Sequence, residues 1–229
     1  MARRNSKKQE ETLVDLHDAK VQAQDYVNKN SSLIIGALVA VVVIVGGFFA
    51  YQQFVKIPNE TNAQVAMRFA QDQFERDSFA LALENPGGGN LGFLDIIDQY
   101  SGTKAANTAR YCAGISYLNL GNYQVAIDYL KDFSPNDALL PITKYGAIGD
   151  GYGELGNLDE SINFYKKAAD AGGNETLVTY YLKKLGLLYE KQGMLAESQK
   201  AFEKIKTEYP TSVESQDIQK YITRVASKK

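Results

Sequence analysis

The chain has 229 residues, 45% of them hydrophobic, and 25 Lys plus Arg stand against 27 Asp plus Glu. The formal net charge of −2 leaves no excess of cations to neutralise phosphates, which excludes a nucleic-acid-binding surface. Cys112 and His17 are the one cysteine and the one histidine, so an intrachain disulfide and cysteine-built metal sites are excluded, and Ser-His or Cys-His pairs have no partner beyond the N-terminal tail.

The first 32 residues form a polar tail. Leu13, Leu16, Ala23 and Val27 recur at helical spacing within Gln9 to Asn28, a short amphipathic helix that would lie on the membrane face or on a partner. A partly ordered solvated tail fits the same residues. The next element is decisive. Leu33 to Tyr51 reads LIIGALVAVVVIVGGFFAY, 19 residues without charge or proline, which as a helix covers about 30 Å, the thickness of a bilayer core. Residues 33–55 are therefore assigned as a transmembrane helix, with Tyr51 and Phe54 as an aromatic belt and Lys29 and Lys56 at its ends. A cleavable signal peptide is the competing reading. The 32 preceding residues are too many for an n-region, and Phe48 and Phe49 stand where small residues would be needed for cleavage. Arg3, Arg4, Lys7 and Lys8 favour a cytoplasmic N-terminus, which exports the rest.

Lys56 to Glu60, interrupted by Pro58, reads as a brief linker into a domain over residues 56–229, where 19 Lys plus Arg nearly balance 22 Asp plus Glu. Within that domain, Asn62 to Tyr100 reads as an irregular first helix pair. Ala63, Ala66, Phe69, Ala70 and Phe74 form one apolar face, Ser78 to Leu83 starts a second helix cut by ENPGGGNLG, and Phe93 to Tyr100 adds a short one. A repeat follows. Gly121, Gly156 and Gly193 lie 35 and 37 residues apart, and other columns align with them: Gly114, Gly149 and Gly186 seven earlier; Tyr117, Tyr152 and Tyr189 four earlier; Ala126, Ser161 and Ser198 five later; Leu130, Tyr165 and Phe202 nine later. Small residues let the two helices of a unit approach, the large ones fill gaps between units, and the anchoring glycine ends the first helix in a left-handed turn. Glu214 to Ala226, with Ile218, Ile222 and Val225 on one face, reads as a capping helix.

This pattern, over Ala106 to Pro210, resembles the tetratricopeptide repeat. It implies an all-α fold in which a single N-terminal transmembrane helix precedes a tetratricopeptide-repeat α-solenoid of three to four helix pairs plus a C-terminal cap. The chain departs from the family pattern at its early tryptophan, replaced by Arg110, Tyr145 and Leu182, and its late alanine is present as Ala168 against Phe133 and Ile205. Gly151 to Gly156 satisfies G-x-G-x-x-G, but it lies inside a helix with no strand before it, so a dinucleotide site is not expected. Pro86 to Gly89 lacks the Gly-Lys-Ser/Thr ending of a phosphate loop. No nucleophile-base pair, metal set or cofactor loop is present, so neither an enzyme nor a cofactor is expected.

In the repeat family the first helix of each unit lines the concave face. Carried over, those positions are Thr108, Tyr111, Ile115, Leu118 and Asn119, then Asp150 and Glu154, then Tyr180, Lys183, Leu187, Glu190 and Lys191. Apolar groups at one end and charges at the other fit an extended polypeptide, making Tyr111, Ile115, Leu118, Asn119, Asp150, Glu154, Tyr180, Lys183, Leu187 and Lys191 the candidate protein-binding residues. Over nearly its whole length, and in DYVNKNSSLIIGALVAVVVIVGGFFAYQQF and LGFLDIIDQYSGTKAANTARYCAGISYLNLGNYQVAIDYL above all, the chain resembles the YfgM-like proteins of the bacterial inner membrane, in their Bacteroidetes-type form. The resemblance implies a cytoplasmic tail (1–32), a periplasmic domain (56–229), and a chaperone-like or scaffolding role beside the SecYEG translocon. Its protein partners would be translocon subunits, periplasmic chaperones or exported chains. The alternative is an assembly factor for another envelope machine, such as an outer-membrane protein insertion or secretion complex.

Overall fold

A computed structural model describes residues 20–22 and 24–228, and among them every regular element is a helix. The basic tip, His17 and the first half of the tail helix lie outside the described residues, while residues 24–29 are helical with Val27 exposed. The chain divides into two units, one ending at Pro58 and the other beginning at Asn59.

In the first unit, α1 (Ser31–Tyr51) contains no charge and buries none of its residues. Most of its valines, isoleucines and phenylalanines are exposed, and none of the described residues buries them. At 21 residues it is long and apolar enough to cross a membrane. A π-type turn over Gln52–Lys56 follows, closed by the Ile57 N–H on the Gln52 carbonyl, and α2 (Ile57–Glu75) continues from it. The linker expected at Lys56 to Glu60 is thus helical. Pro58 cannot donate to a four-residue ladder, and a widened turn directly before it is where a helix absorbs that loss.

In the second unit, α2, α3 (Phe79–Glu84) and α4 (Phe93–Gln99) pack on α5 (Lys104–Asn119). The inward stripe of α2 is Ala63, Met67, Ala70 and Phe74, at spacings of four, three and four; Phe69 lies one step off it and is 47% exposed, contrary to expectation. Phe74 meets Phe79 and Phe93 edge-on at 5.6 and 5.9 Å. The glycine-rich insertion is pinned at its end, because a Cβ on Gly92 would stand 2.2 Å from the Leu83 carbonyl oxygen. Cys112 is buried in this core, and burial pushes its thiol up to about 12.

Glu60 ties α2 to α5. Its carboxylate accepts the Lys104 and Ala105 N–H groups at 2.8 and 3.2 Å, the Thr103 hydroxyl accepts that of Ala106 at 3.0 Å and the Tyr100 carbonyl that of Thr103 at 3.1 Å, so all four donors at this helix start are satisfied. Glu60→Ala is expected to cost about 1 kcal/mol, seen as a lower urea midpoint, with Glu60→Gln recovering part of it.

Three helix pairs follow: α5 with α6 (Tyr123–Asp132), α7 (Leu140–Glu154) with α8 (Leu158–Asp170), and α9 (Glu175–Lys191) with α10 (Leu195–Glu208). Each first helix ends identically. Gly121, Gly156 and Gly193 adopt φ of 79, 76 and 74°, and the N–H of the following residue returns to Tyr117, Tyr152 or Tyr189 at 2.9 Å. This double-bonded left-handed terminus turns the chain back without leaving carbonyls unpaired. The small and large columns meet inside each pair. A Cβ at Gly114, Gly149 or Gly186 would stand 2.6 Å from Leu130, 2.7 Å from Tyr165 or 2.4 Å from Phe202, so the large residue fills its own unit as well as facing the next. Ser161 and Ser198 each donate to the carbonyl of the facing glycine at 2.8 Å.

A short 3-10 turn (Glu214–Gln216) leads to α11 (Ile218–Ala226), which closes the stack by burying Ile218 and Val225 against α10. Glu190 accepts Arg224 through two bonds, 2.9 and 2.5 Å, and Lys228 at 2.8 Å, while Asp217 pairs with Lys183 at 3.5 Å and with Lys220.

Candidate protein-binding site

The first helices α5, α7 and α9 stand side by side, so residues at the same repeat position form rows across them. Between them lies a concavity of about 710 Å³. Tyr111, Ile115, Leu118 and Asn119 of α5 line one wall, and Thr143, Ala147, Asp150, Gly153 and Glu154 of α7 line the floor. Tyr165 of α8 and Tyr181 and Lys184 of α9 complete it. The floor is low because α7 presents Ala147 and Gly153, whose small size leaves the volume open. Gly146 lies beneath the Tyr181 ring, where a Cβ would stand 1.9 Å from Cζ.

At the centre, Asp150 accepts the Tyr165 hydroxyl at 2.5 Å and the Lys184 ammonium at 2.6 Å. That ammonium lies 5.6, 5.0 and 6.0 Å from the ring centres of Tyr165, Tyr180 and Tyr181, so the cation is held by one carboxylate and three π faces. Burial, reinforced by the Asp150 carboxylate, pushes the Tyr165 and Tyr181 hydroxyls well above their ordinary 10.0. Burial works against the charge of Lys184, but its bond to Asp150 outweighs this and holds the ammonium above 10.5. All three groups keep their protons in the folded chain at a pH where the unfolded chain has released them. Their contribution to stability is therefore complete below about pH 10 and falls as pH rises beyond it. Melting followed by circular dichroism should show a lower Tm at about pH 10.5 than at pH 8; an unchanged Tm would contradict this account of the cluster. On the acid side, the Arg224 bond holds Glu190 below its ordinary 4.5, so that contribution is present above 4.5 and lost as pH falls past it.

The ten candidate positions divide. Tyr111, Ile115, Leu118, Asn119, Asp150 and Glu154 share the concavity. Leu187 and Lys191 border a smaller depression of about 250 Å³ beside it, and Tyr180 packs edge-on against Tyr181 at 5.0 Å while remaining 43% exposed. Lys183, the tenth, turns toward α11 instead, since it pairs with Asp217 and lies 5.3 Å from the Tyr221 ring centre, and Glu190, a concave-face position outside the ten, pairs with Arg224 of α11. Sequence reasoning missed Tyr123, Thr143, Ala147, Gly153, Tyr181 and Lys184, and placed Tyr165 only as a packing residue. A signal existed for two of them. Lys184 occupies the column of Cys112 and Ala147, a long cation where small residues stand, and Gly146 occupies the column of Tyr111 and Lys183, a gap that another side chain fills.

The G-x-G-x-x-G run ends α7 with no strand before it, and a Cβ on Gly151 would stand 2.9 and 3.3 Å from Ile127 and Leu118 of the preceding unit. Among the described residues no group of three His, Cys, Asp or Glu side chains is placed to hold a metal ion.

Residues 145–171 and 184–212 match family models of the tetratricopeptide repeat. No curated protein sequence gives a significant match. Among solved structures, the crystal structure of MamA protein is similar at a TM-score of 0.53 and 17% identity, covering 72% of this chain and 91% of that one. A Podosopora anserina protein described as a kinesin light chain with nearly identical TPR-like repeats is similar at a TM-score of 0.54 and 12% identity, over 73% of this chain and 86% of that one. At such identities the likeness concerns the fold. The second and third helix pairs contain the matched tetratricopeptide repeats, an architecture that presents extended surfaces for binding other proteins, and no enzyme family is indicated.

Proposed function

We propose that this chain is a membrane-anchored protein-binding scaffold, ancillary to the SecYEG protein-export translocon, with its N-terminus cytoplasmic and its repeat domain periplasmic. The observation that carries binding is the concavity, where an apolar wall of Tyr111, Ile115 and Leu118 meets the polar rim of Asn119 and Glu154. An open trough of that kind accepts an extended polypeptide, whose apolar side chains bury against the wall while its backbone reaches the rim. The apolar α1 supports the anchor, and the resemblance to YfgM-like proteins supports the translocon. The domain binds and positions exported chains or their chaperones; it does not transform them.

Crosslinking in intact cells, purification in mild detergent and mass spectrometry test this. Translocon subunits together with a scatter of exported proteins are the expected yield. Recovery of one other envelope machine without the translocon would reassign the chain as an assembly factor. Asn119→Arg combined with Glu154→Arg, both exposed, should lose the partners at unchanged helical content; full recovery of partners would place their interface outside the concavity.

A further inference from the structure

A different face of α9 carries a second opening, independent of the concavity. In the first two units a ring twelve residues beyond the repeat tyrosine stacks on it: Tyr129 on Tyr117 at 5.5 Å and 17°, and Phe164 on Tyr152 at 5.5 Å and 25°. The third unit breaks the series. Ala201 occupies that place opposite Tyr189, and an apolar slot of about 300 Å³ lies there, its floor made by Leu182, Leu185, Tyr189 and Ala201.

The rim is cationic. Lys166, Lys200 and Lys204 border the slot with Asp170 and Glu197, and none of the three lysines takes part in an ion pair among the described residues. Lys166 lies 5.6 Å from the Tyr189 ring centre, as Lys131 lies 5.3 Å from that of Tyr152. The second unit thus shows the filled form of the same place, where Phe164 stacks on Tyr152 and the Lys131 ammonium donates to the Tyr152 hydroxyl at 2.8 Å. Tyr189 is only 5% exposed and the Lys166 ammonium lies beside its ring, so an arriving ring shifts that side chain outward.

We infer that this slot is a docking site for a partner polypeptide that inserts one aromatic side chain beside Tyr189, flanked by carboxylates that pair with Lys166, Lys200 and Lys204. The ring supplies the missing member of the stacking series, and the acidic flanks answer a rim that carries one net positive charge. An aliphatic residue would fill less of the slot and gain no stacking, and a basic segment would meet the lysines.

The test uses the full chain in detergent micelles with a fluorescein-labelled Asp-Glu-Phe-Asp-Glu peptide, and a control peptide with alanine in place of phenylalanine, read by anisotropy. The wild-type chain is expected to bind the phenylalanine peptide about tenfold more tightly than the control. Ala201→Phe, which fills the slot from within, should abolish that preference and raise the melting temperature. Lys200→Glu with Lys204→Glu, both on the surface of α10, should weaken the phenylalanine peptide by about tenfold at low salt. Equal binding of the two peptides by the wild type would overturn the inference. So would a preference that survives Ala201→Phe, or a lowered melting temperature in that variant, since a site shaped for a ring accepts one. Glu154 and Asn119 lie outside this slot, so the result is separate from that for the concavity.

Discussion

Phe202→Ala is expected to destabilise the repeat domain by about 3–5 kcal/mol. The ring is fully buried, shares one core with Tyr165, Tyr189, Ile205, Ile218 and Val225, and packs on Tyr221 of α11 at 5.4 Å. Its removal leaves a cavity bounded by helix backbone at Gly186, which cannot collapse into it, and loosens the capping helix. The same contact sets a sign reversal. Gly186→Ala alone drives a Cβ to 2.4 Å from the ring and should cost about 1–3 kcal/mol of overpacking. In the Phe202→Ala background the ring is gone, and Gly186→Ala should instead stabilise by about 1 kcal/mol, the helix preference of alanine over glycine. Urea unfolding of the four chains completes the cycle. Additive effects would mean that the glycine column exists for some reason other than the ring above it.

The Gly114, Gly149 and Gly186 column was legible because each glycine meets the large residue of its own unit, a contact made three times within a short stretch of chain. The same holds for the left-handed glycines and the tyrosines whose carbonyls they free for bonding. The apolar run of α1 was legible for a simpler reason, since composition and length alone decide it. Contacts between units behaved differently. Lys184 reaches back 34 residues to Asp150, and Arg224 reaches back 34 to Glu190. Neither distance follows from a repeat register, because each depends on how far one pair of helices rotates against the next. Lys183 and Glu190 were therefore assigned to an open face, when α11 engages both. Phe69 shows the same limit at smaller scale: a helix with three alanines offers several apolar stripes, and the packing on α5 selects the one through Met67. Pro58 misled in another way, since its effect on a ladder depends on the bonding pattern just before it, and a π turn removes the conflict.

Helix α7 concentrates glycine at 146, 149, 151 and 153, each costing about 1 kcal/mol in a helix interior relative to alanine. Each one faces a neighbour: Tyr181, Tyr165, Ile127 and Ser161 in turn. Gly146 and Gly151 are where the units on either side come close, and Gly149 and Gly153 are where α8 of the same pair does. Gly146→Ala is the sharpest probe of this arrangement. Propensity alone favours alanine by about 1 kcal/mol, but the new Cβ would stand 1.9, 2.1 and 2.2 Å from Cζ, Cε1 and the hydroxyl of Tyr181. The ring cannot slide sideways, because Tyr165 stacks on it at 6.0 Å and Tyr180 meets it edge-on at 5.0 Å. Its open direction is into the concavity that it borders. The variant should therefore lose about 1–3 kcal/mol and, at the same time, present a trough narrowed by the displaced ring, with polypeptide binding reduced accordingly. Tyr181→Leu added to Gly146→Ala removes the obstruction and should restore binding more fully than stability, since the ring stack is not rebuilt. If Gly146→Ala lowered the unfolding midpoint yet left partner recovery intact, Tyr181 would be a packing residue and the polypeptide path would run along α5 alone.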